Sequence, residues 1–133
     1  MHTQQPVRWQ SQSRLASFRY AFSGLWYMLR TQRNAWIHAT ATVCVVALGL
    51  WLSLSRIEWA ILALTIGLVW MAEFINTALE AVVDLASPVH HPLAKVGKDV
   101  GAAAVLVAAG GAVIVGLLIM GPPLWAKITA ILP

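Results

Sequence analysis

Residues 59–84 read WAILALTIGLVWMAEFINTALEAVVD, and the fold turns on how that stretch is read. From Trp59 to Ala72 it carries no formal charge. Beyond that it keeps a helical character to about Leu85, with Glu73, Glu80 and Asp84 set at intervals. A segment of this length fits a helix through a hydrocarbon core of about 30 Å, which takes roughly 20 residues. On its N-terminal side, residues 34–55 form another run without Asp, Glu, Lys or Arg. On its C-terminal side, residues 100–120 form a third, running up to Gly121-Pro122-Pro123. Two prolines withhold backbone donors, so this triplet predicts the end of the third helix. Ser87-Pro88-Val89-His90-His91-Pro92 predicts a loop between the second and third spans.

The composition agrees with this reading. Hydrophobic residues make up 59% of the 133 and charged residues 11%, against about 45–50% and about 25% in a soluble domain. A disordered tail, a collagen-like fibre and a water-soluble enzyme are excluded. What remains is a single-domain (1–133) all-α membrane protein with three transmembrane helices at 34–55, 59–85 and 100–120. Residues 1–13 are polar and lack the apolar stretch of a secretory signal. In residues 14–33, Leu15, Phe18, Phe22, Leu25, Trp26 and Leu29 recur at helical spacing among arginines. That pattern predicts an amphipathic helix lying at the membrane surface. Residues 121–133 are left as a C-terminal extension. No internal repeat is visible, and the single Cys44, within an apolar run, offers no disulfide framework.

Charge placement orients the chain. The first 34 residues hold five arginines and no acid, and Lys95 and Lys98 lie between spans two and three; the turn between spans one and two has only Arg56 and Glu58. The positive-inside rule puts the N-terminus and the second loop in the cytoplasm, with the short turn and the C-terminus outside. Trp51, Trp59 and Trp125 read as interfacial anchors.

Four of the five acids, Glu73, Glu80, Asp84 and Asp99, fall between late span two and the start of span three. At about 100° per residue, Glu73, Asn76, Glu80 and Asp84 share one narrow face, with Phe74, Ile75, Ala78 and Val82 on the other. Glu73 is about 21 Å along the helix from Trp59, and Asp84 is about 16 Å further. The stripe therefore rises from the acyl region toward water. A carboxylate in the core costs on the order of 2.5–3.5 kcal/mol and needs a partner, a metal or a proton. Three readings stand at this point: polar glue between helices of an oligomer, an ion path through a small channel or transporter, and a site for metal-assisted phosphoryl transfer. Lys98-Asp99 at the mouth of the stripe adds a phosphate-binding cation and a further oxygen ligand, which suits the third. The glycine-rich loops of soluble nucleotide folds are absent, as are zinc spacings and nucleic-acid modules.

Glu73-Phe74-Ile75-Asn76-Thr77-Ala78-Leu79-Glu80-Ala81-Val82-Val83-Asp84 closely resembles the E-x-x-N-[ST]-A-[IL]-E-x-x-x-D signature of the prokaryotic diacylglycerol kinase and undecaprenol kinase family. His91-Pro92-Leu93-Ala94-Lys95-Val96-Gly97-Lys98-Asp99 with Gly101–Leu106 resembles its second block. Ser17–Gly24 and Asn34–His38 resemble its N-terminal helix and the start of its first span. Together these cover about residues 14–120. The resemblance implies a homotrimer in the bacterial cytoplasmic (inner) membrane, with composite active sites between subunits that face the cytoplasm. It implies transfer of the γ-phosphate of ATP to a lipid alcohol with Mg²⁺ as cofactor. By matching position Glu73 is the general base, Asn76 positions groups beside it, and Glu80 is a metal ligand at the ATP phosphates. Lys98, Asp99, Tyr20 and His91 contact the nucleotide, and Asp84 supports the mouth of the site. Asn34-x-x-Ile37-His38 resembles the undecaprenol kinase branch, which favours undecaprenol as acceptor, with diacylglycerol as the alternative. One position departs: Gln32 stands where the family has a glutamate as second metal and nucleotide ligand. A neutral amide oxygen there implies weaker metal binding or, at the limit, an inactive member. Gly97, where alanine is usual, is a milder departure.

Overall fold

The computed structural model describes residues 14–131 as four α-helices: α1 (Arg14–Thr31), α2 (Arg33–Leu52), α3 (Arg56–Ala86) and α4 (Pro92–Thr129). The polar tail 1–13 lies outside the described residues. The chain divides into two units, residues 1–31 and residues 32–133. In the first, Arg30 stacks over the Trp26 ring at 4.7 Å, and the Thr31 hydroxyl donates to the Tyr27 carbonyl (2.8 Å). In the second, α2, α3 and α4 are each long and apolar enough to cross a membrane.

Local chemistry sets the ends of these helices. α2 closes with Ser53 in the left-handed region (φ 57°, ψ 47°); Ser53 N–H donates to Leu50 O and Leu54 N–H to Gly49 O. This is the paired bonding that satisfies the last carbonyls of a helix. It ends the first span at Leu52, three residues before the expected limit of 55. Ser55 and Glu58 then form a capping box for α3: Ser55 N–H donates to Glu58 Oε2 (2.7 Å) and Glu58 N–H to Ser55 Oγ (3.4 Å). α4 starts at Pro92, with proline in the first turn, where its missing donor costs nothing. The His91 imidazole caps it, Nδ1 accepting from Leu93 N–H at 3.2 Å.

One expectation fails. Pro122 and Pro123 do not end the third long helix, which continues through both to Thr129. Residues 121–129 are therefore helix rather than an extension. The freed carbonyls lose their donors, but the packing on either side favours the helix. Met120 joins a core cluster with Leu52 and Leu62, and Ile119 and Leu124 pack on the same cluster from before and after the prolines. Further along, Lys127 Nζ donates to the Trp51 carbonyl at the end of α2 (2.6 Å) and lies over the Trp51 ring at 4.7 Å. Tertiary contacts past the prolines thus outweigh the propensity penalty, as helical segments in membranes allow.

α3 packs chiefly on α4, with α2 resting more lightly on both. The outer faces of the bundle stay apolar and exposed, at Leu106, Val107, Ile114 and Leu117 of α4 and at Phe74, Ile75 and Val82 of α3. The α3 residues are those that the angular reading assigned to lipid or packing.

Candidate active site

Burial falls along the stripe on α3 from Glu73 to Asp84. Glu73 is 1% exposed and Asn76 is 7% exposed, Glu80 is half-buried and Asp84 is open. Asn76 Nδ2 donates to Glu80 Oε1 at 3.2 Å, so one turn of helix joins the amide to the next carboxylate. Three buried side-chain atoms here have no hydrogen-bond partner among the described residues: Glu73 Oε2, Asn76 Oδ1 and Thr77 Oγ1. Thr77 is instructive, because Thr42 and Thr65 turn their hydroxyls back to the carbonyl four residues earlier and Thr77 does not. Buried polar atoms are nearly always satisfied, so three orphans within two helical turns single out this face as the candidate site. The bundle also opens space here. A Cβ on Gly101 of α4 would overlap Asn76 Oδ1, so only glycine lets the amide lie against that helix.

Beyond the stripe, charged groups gather around the α3–α4 loop. Lys98 pairs with Asp84 across the two helices at 2.5 Å. Lys95 pairs with Asp99 one turn along α4. These four side chains, with His90 and His91, line a cavity of about 410 Å³. All four are exposed enough for water to screen them, so each pair contributes on the order of 0–1 kcal/mol and can be exchanged for another ligand.

Among the sequence-predicted residues, the structure therefore brings Glu73, Asn76 and Glu80 into one continuous group. It collects Asp84, His91, Lys98 and Asp99 at the adjoining cavity. Gln32 is the N-cap residue of α2; its side chain makes no capping hydrogen bond. Tyr20 belongs to α1, in the other unit, with Arg19 at 5.7 Å from its ring centroid. Sequence reasoning assigned no site role to two neighbours of Glu73. His38 Nε2 lies 3.8 Å from Glu73 Oε2, and Thr77 is buried beside it on α3. His38 is far from Glu73 in sequence, so only the packing of α2 on α3 reveals it; Thr77 stood inside the signature.

No cluster of three or more His, Cys, Asp or Glu side chains among the described residues could cage a metal ion. The donor is instead one half-buried carboxylate, Glu80, which accepts from Asn76 Nδ2. Hard oxygen donors of this kind fit Mg²⁺, which keeps several waters and is commonly bound by one or two carboxylates together with substrate phosphates.

The fold and site define a helical membrane protein with an acid-lined site that leads from a buried carboxylate to a charged loop. The prokaryotic diacylglycerol kinase family model matches residues 19–120. The chain is 47% identical over 108 residues to the undecaprenol kinase of Bacillus subtilis (strain 168), covering 81% of this chain and 88% of that one. It is 50% identical over 111 residues to a diacylglycerol kinase of Synechocystis, covering 83% of this chain and 63% of that longer relative. It is 34% identical over 101 residues to the diacylglycerol kinase of Escherichia coli (strain K12), covering 71% and 83%. The chain belongs to the prokaryotic diacylglycerol kinase family.

Proposed function

We propose that this protein is a membrane lipid kinase that transfers the γ-phosphate of ATP to the hydroxyl of undecaprenol. The observation that carries the reading is the Glu73 carboxylate, 1% exposed, with one oxygen unpartnered and on the same helical face as Asn76 and Glu80. A lipid hydroxyl is confined near the membrane boundary while a nucleotide arrives from water, so the proton acceptor belongs deeper than the phosphate ligands. The exposure gradient along α3 supports that order.

In the reaction, the lipid oxygen attacks the γ-phosphorus, and the bond from that phosphorus to the ADP oxygen breaks. The hydroxyl proton passes to Glu73. Asn76 positions Glu80, donating from Nδ2 to its Oε1. Glu80 and Gln32 are the residues that would hold Mg²⁺, and the bound ion supplies positive charge against the phosphate oxygens. Lys98 exchanges Asp84 for a phosphate oxygen, an inexpensive trade for a screened pair. Asp99 and His91 serve the nucleotide.

The homotrimer implied by the family resemblance is supported by the apolar faces that α3 and α4 leave exposed. The arginines before residue 34 and the lysines of the α3–α4 loop support a cytoplasmic site in a bacterial inner membrane. Diacylglycerol is the second acceptor reading, favoured by the 50% identity to a diacylglycerol kinase. Incubating the purified full chain in micelles with labelled ATP, Mg²⁺ and each lipid in turn distinguishes the two. Faster labelling of undecaprenol is expected, and labelling of neither lipid overturns the kinase reading.

A further inference from the structure

The buried Oε2 of Glu73 faces one ionisable neighbour, His38 on α2, whose Nε2 is 3.8 Å away. The two side chains are 14% and 1% exposed, so this is an interior pair. The imidazole is held by its surroundings. Trp70 meets it edge-on (6.4 Å between centroids, 63°). Trp70 Nε1 in turn donates to Thr42 Oγ1 (3.1 Å), and Thr42 donates to the carbonyl of His38 itself (2.7 Å). The same imidazole also lines an apolar cavity of about 410 Å³ between α2, α3 and α4, together with Thr42, Val69, Trp70 and Val113. His38 thus stands where a space suited to a hydrocarbon chain meets the buried carboxylate.

We propose that His38 is the positioning residue for Glu73, its Nε2–H donating to Oε2 so that the carboxylate stays aimed at the lipid hydroxyl. The inference rests on the reading of Glu73 as the base. A separation of 3.8 Å is ion-pair range and too long for a hydrogen bond, and such contacts in an unliganded site tighten when substrate binds. The other ionisable groups on the packed elements are engaged elsewhere or distant. Glu80 is held by Asn76, Asp84 pairs with Lys98, and Asp99 pairs with Lys95. Arg33 is exposed at the start of α2, Cys44 is exposed about three turns along it, and Arg56, Glu58 and Lys127 lie toward the opposite end of the bundle.

The test measures kcat and the KM for the lipid with the full chain in micelles, comparing wild type, His38→Gln, His38→Ala and Glu73→Gln. His38→Ala is expected to lower kcat about tenfold, the loss of one charge-assisted hydrogen bond, with KM little changed. His38→Gln, which keeps an N–H donor, should recover most of kcat. A His38→Gln kcat tenfold or more below wild type overturns the proposal, and this arm decides the matter if the alanine variant does not fold. A loss carried by KM with kcat unchanged overturns it as well, since a packing role beside the apolar cavity predicts that. Turnover by Glu73→Gln would instead remove the assignment of the base, and with it the functional reading on which this inference stands.

Discussion

The two ends of the three-helix unit are built on opposite terms. At the turn end, α2 closes with paired carbonyl bonds, α3 opens with a reciprocal capping box, and Lys127 reaches across to the Trp51 carbonyl. Leu52, Leu62 and Met120 pack together beneath them. At the loop end, the buried atoms Glu73 Oε2, Asn76 Oδ1 and Thr77 Oγ1 are left without hydrogen-bond partners among the described residues, and four charged side chains pair only loosely at the surface. One end spends its polar groups on holding the helices; the other reserves them. Under the proposed function the loop end keeps its polar groups for ligands, and the turn end holds the helices that carry them.

Substitutions should therefore separate activity from stability according to the end they touch. The largest effect is expected of Glu73→Gln, which keeps shape and removes the proton acceptor: labelled-phosphate transfer should fall by roughly 10²–10⁴-fold, with helix content by circular dichroism unchanged. Gly101→Ala drives a Cβ into Asn76 and against Leu79 (3.2 Å). It should destabilise by about 1–3 kcal/mol and lower turnover as well, read by thermal unfolding beside the kinase assay; full activity would show that the amide has room to move. Glu80→Gln removes the only carboxylate of the proposed Mg²⁺ site and should raise the half-saturating Mg²⁺ concentration about tenfold, a change of about 1.4 kcal/mol. Gln32→Glu should lower that same concentration by a smaller factor, and no change would place Gln32 outside the metal's reach. The smallest effect belongs to the turn end: Lys127→Met should reduce stability by about 0.5–1.5 kcal/mol while leaving kcat as it was. If Lys127→Met instead altered kcat, the division between a holding end and a working end would be wrong.

Much of the site could be read from residue spacing. The positions of Glu73, Asn76, Glu80 and Asp84 placed them on one face, and along α3 they run from buried to open. The Lys95–Asp99 pair at i, i+4 is of the same local kind. Contacts between helices were not legible. Nothing in sequence separation links His38 to Glu73, Lys98 to Asp84, or Gly101 to Asn76, because each depends on the rotation and depth at which two helices meet. The error at Pro122-Pro123 has the same origin, a local rule applied where long-range packing decided the outcome.

The order of amino acids alone determined that this chain has three helices able to cross a membrane, and that the acids of one of them line a single face. Both follow from the length of apolar runs and the angular period of a helix, which are properties of one segment at a time. Tertiary structure alone decided which atoms are buried without hydrogen-bond partners, that Lys98 answers Asp84, and that α4 runs on through two prolines. Those outcomes depend on how segments distant in sequence share space, and the free energy of that packing exceeds the local preferences it overrides.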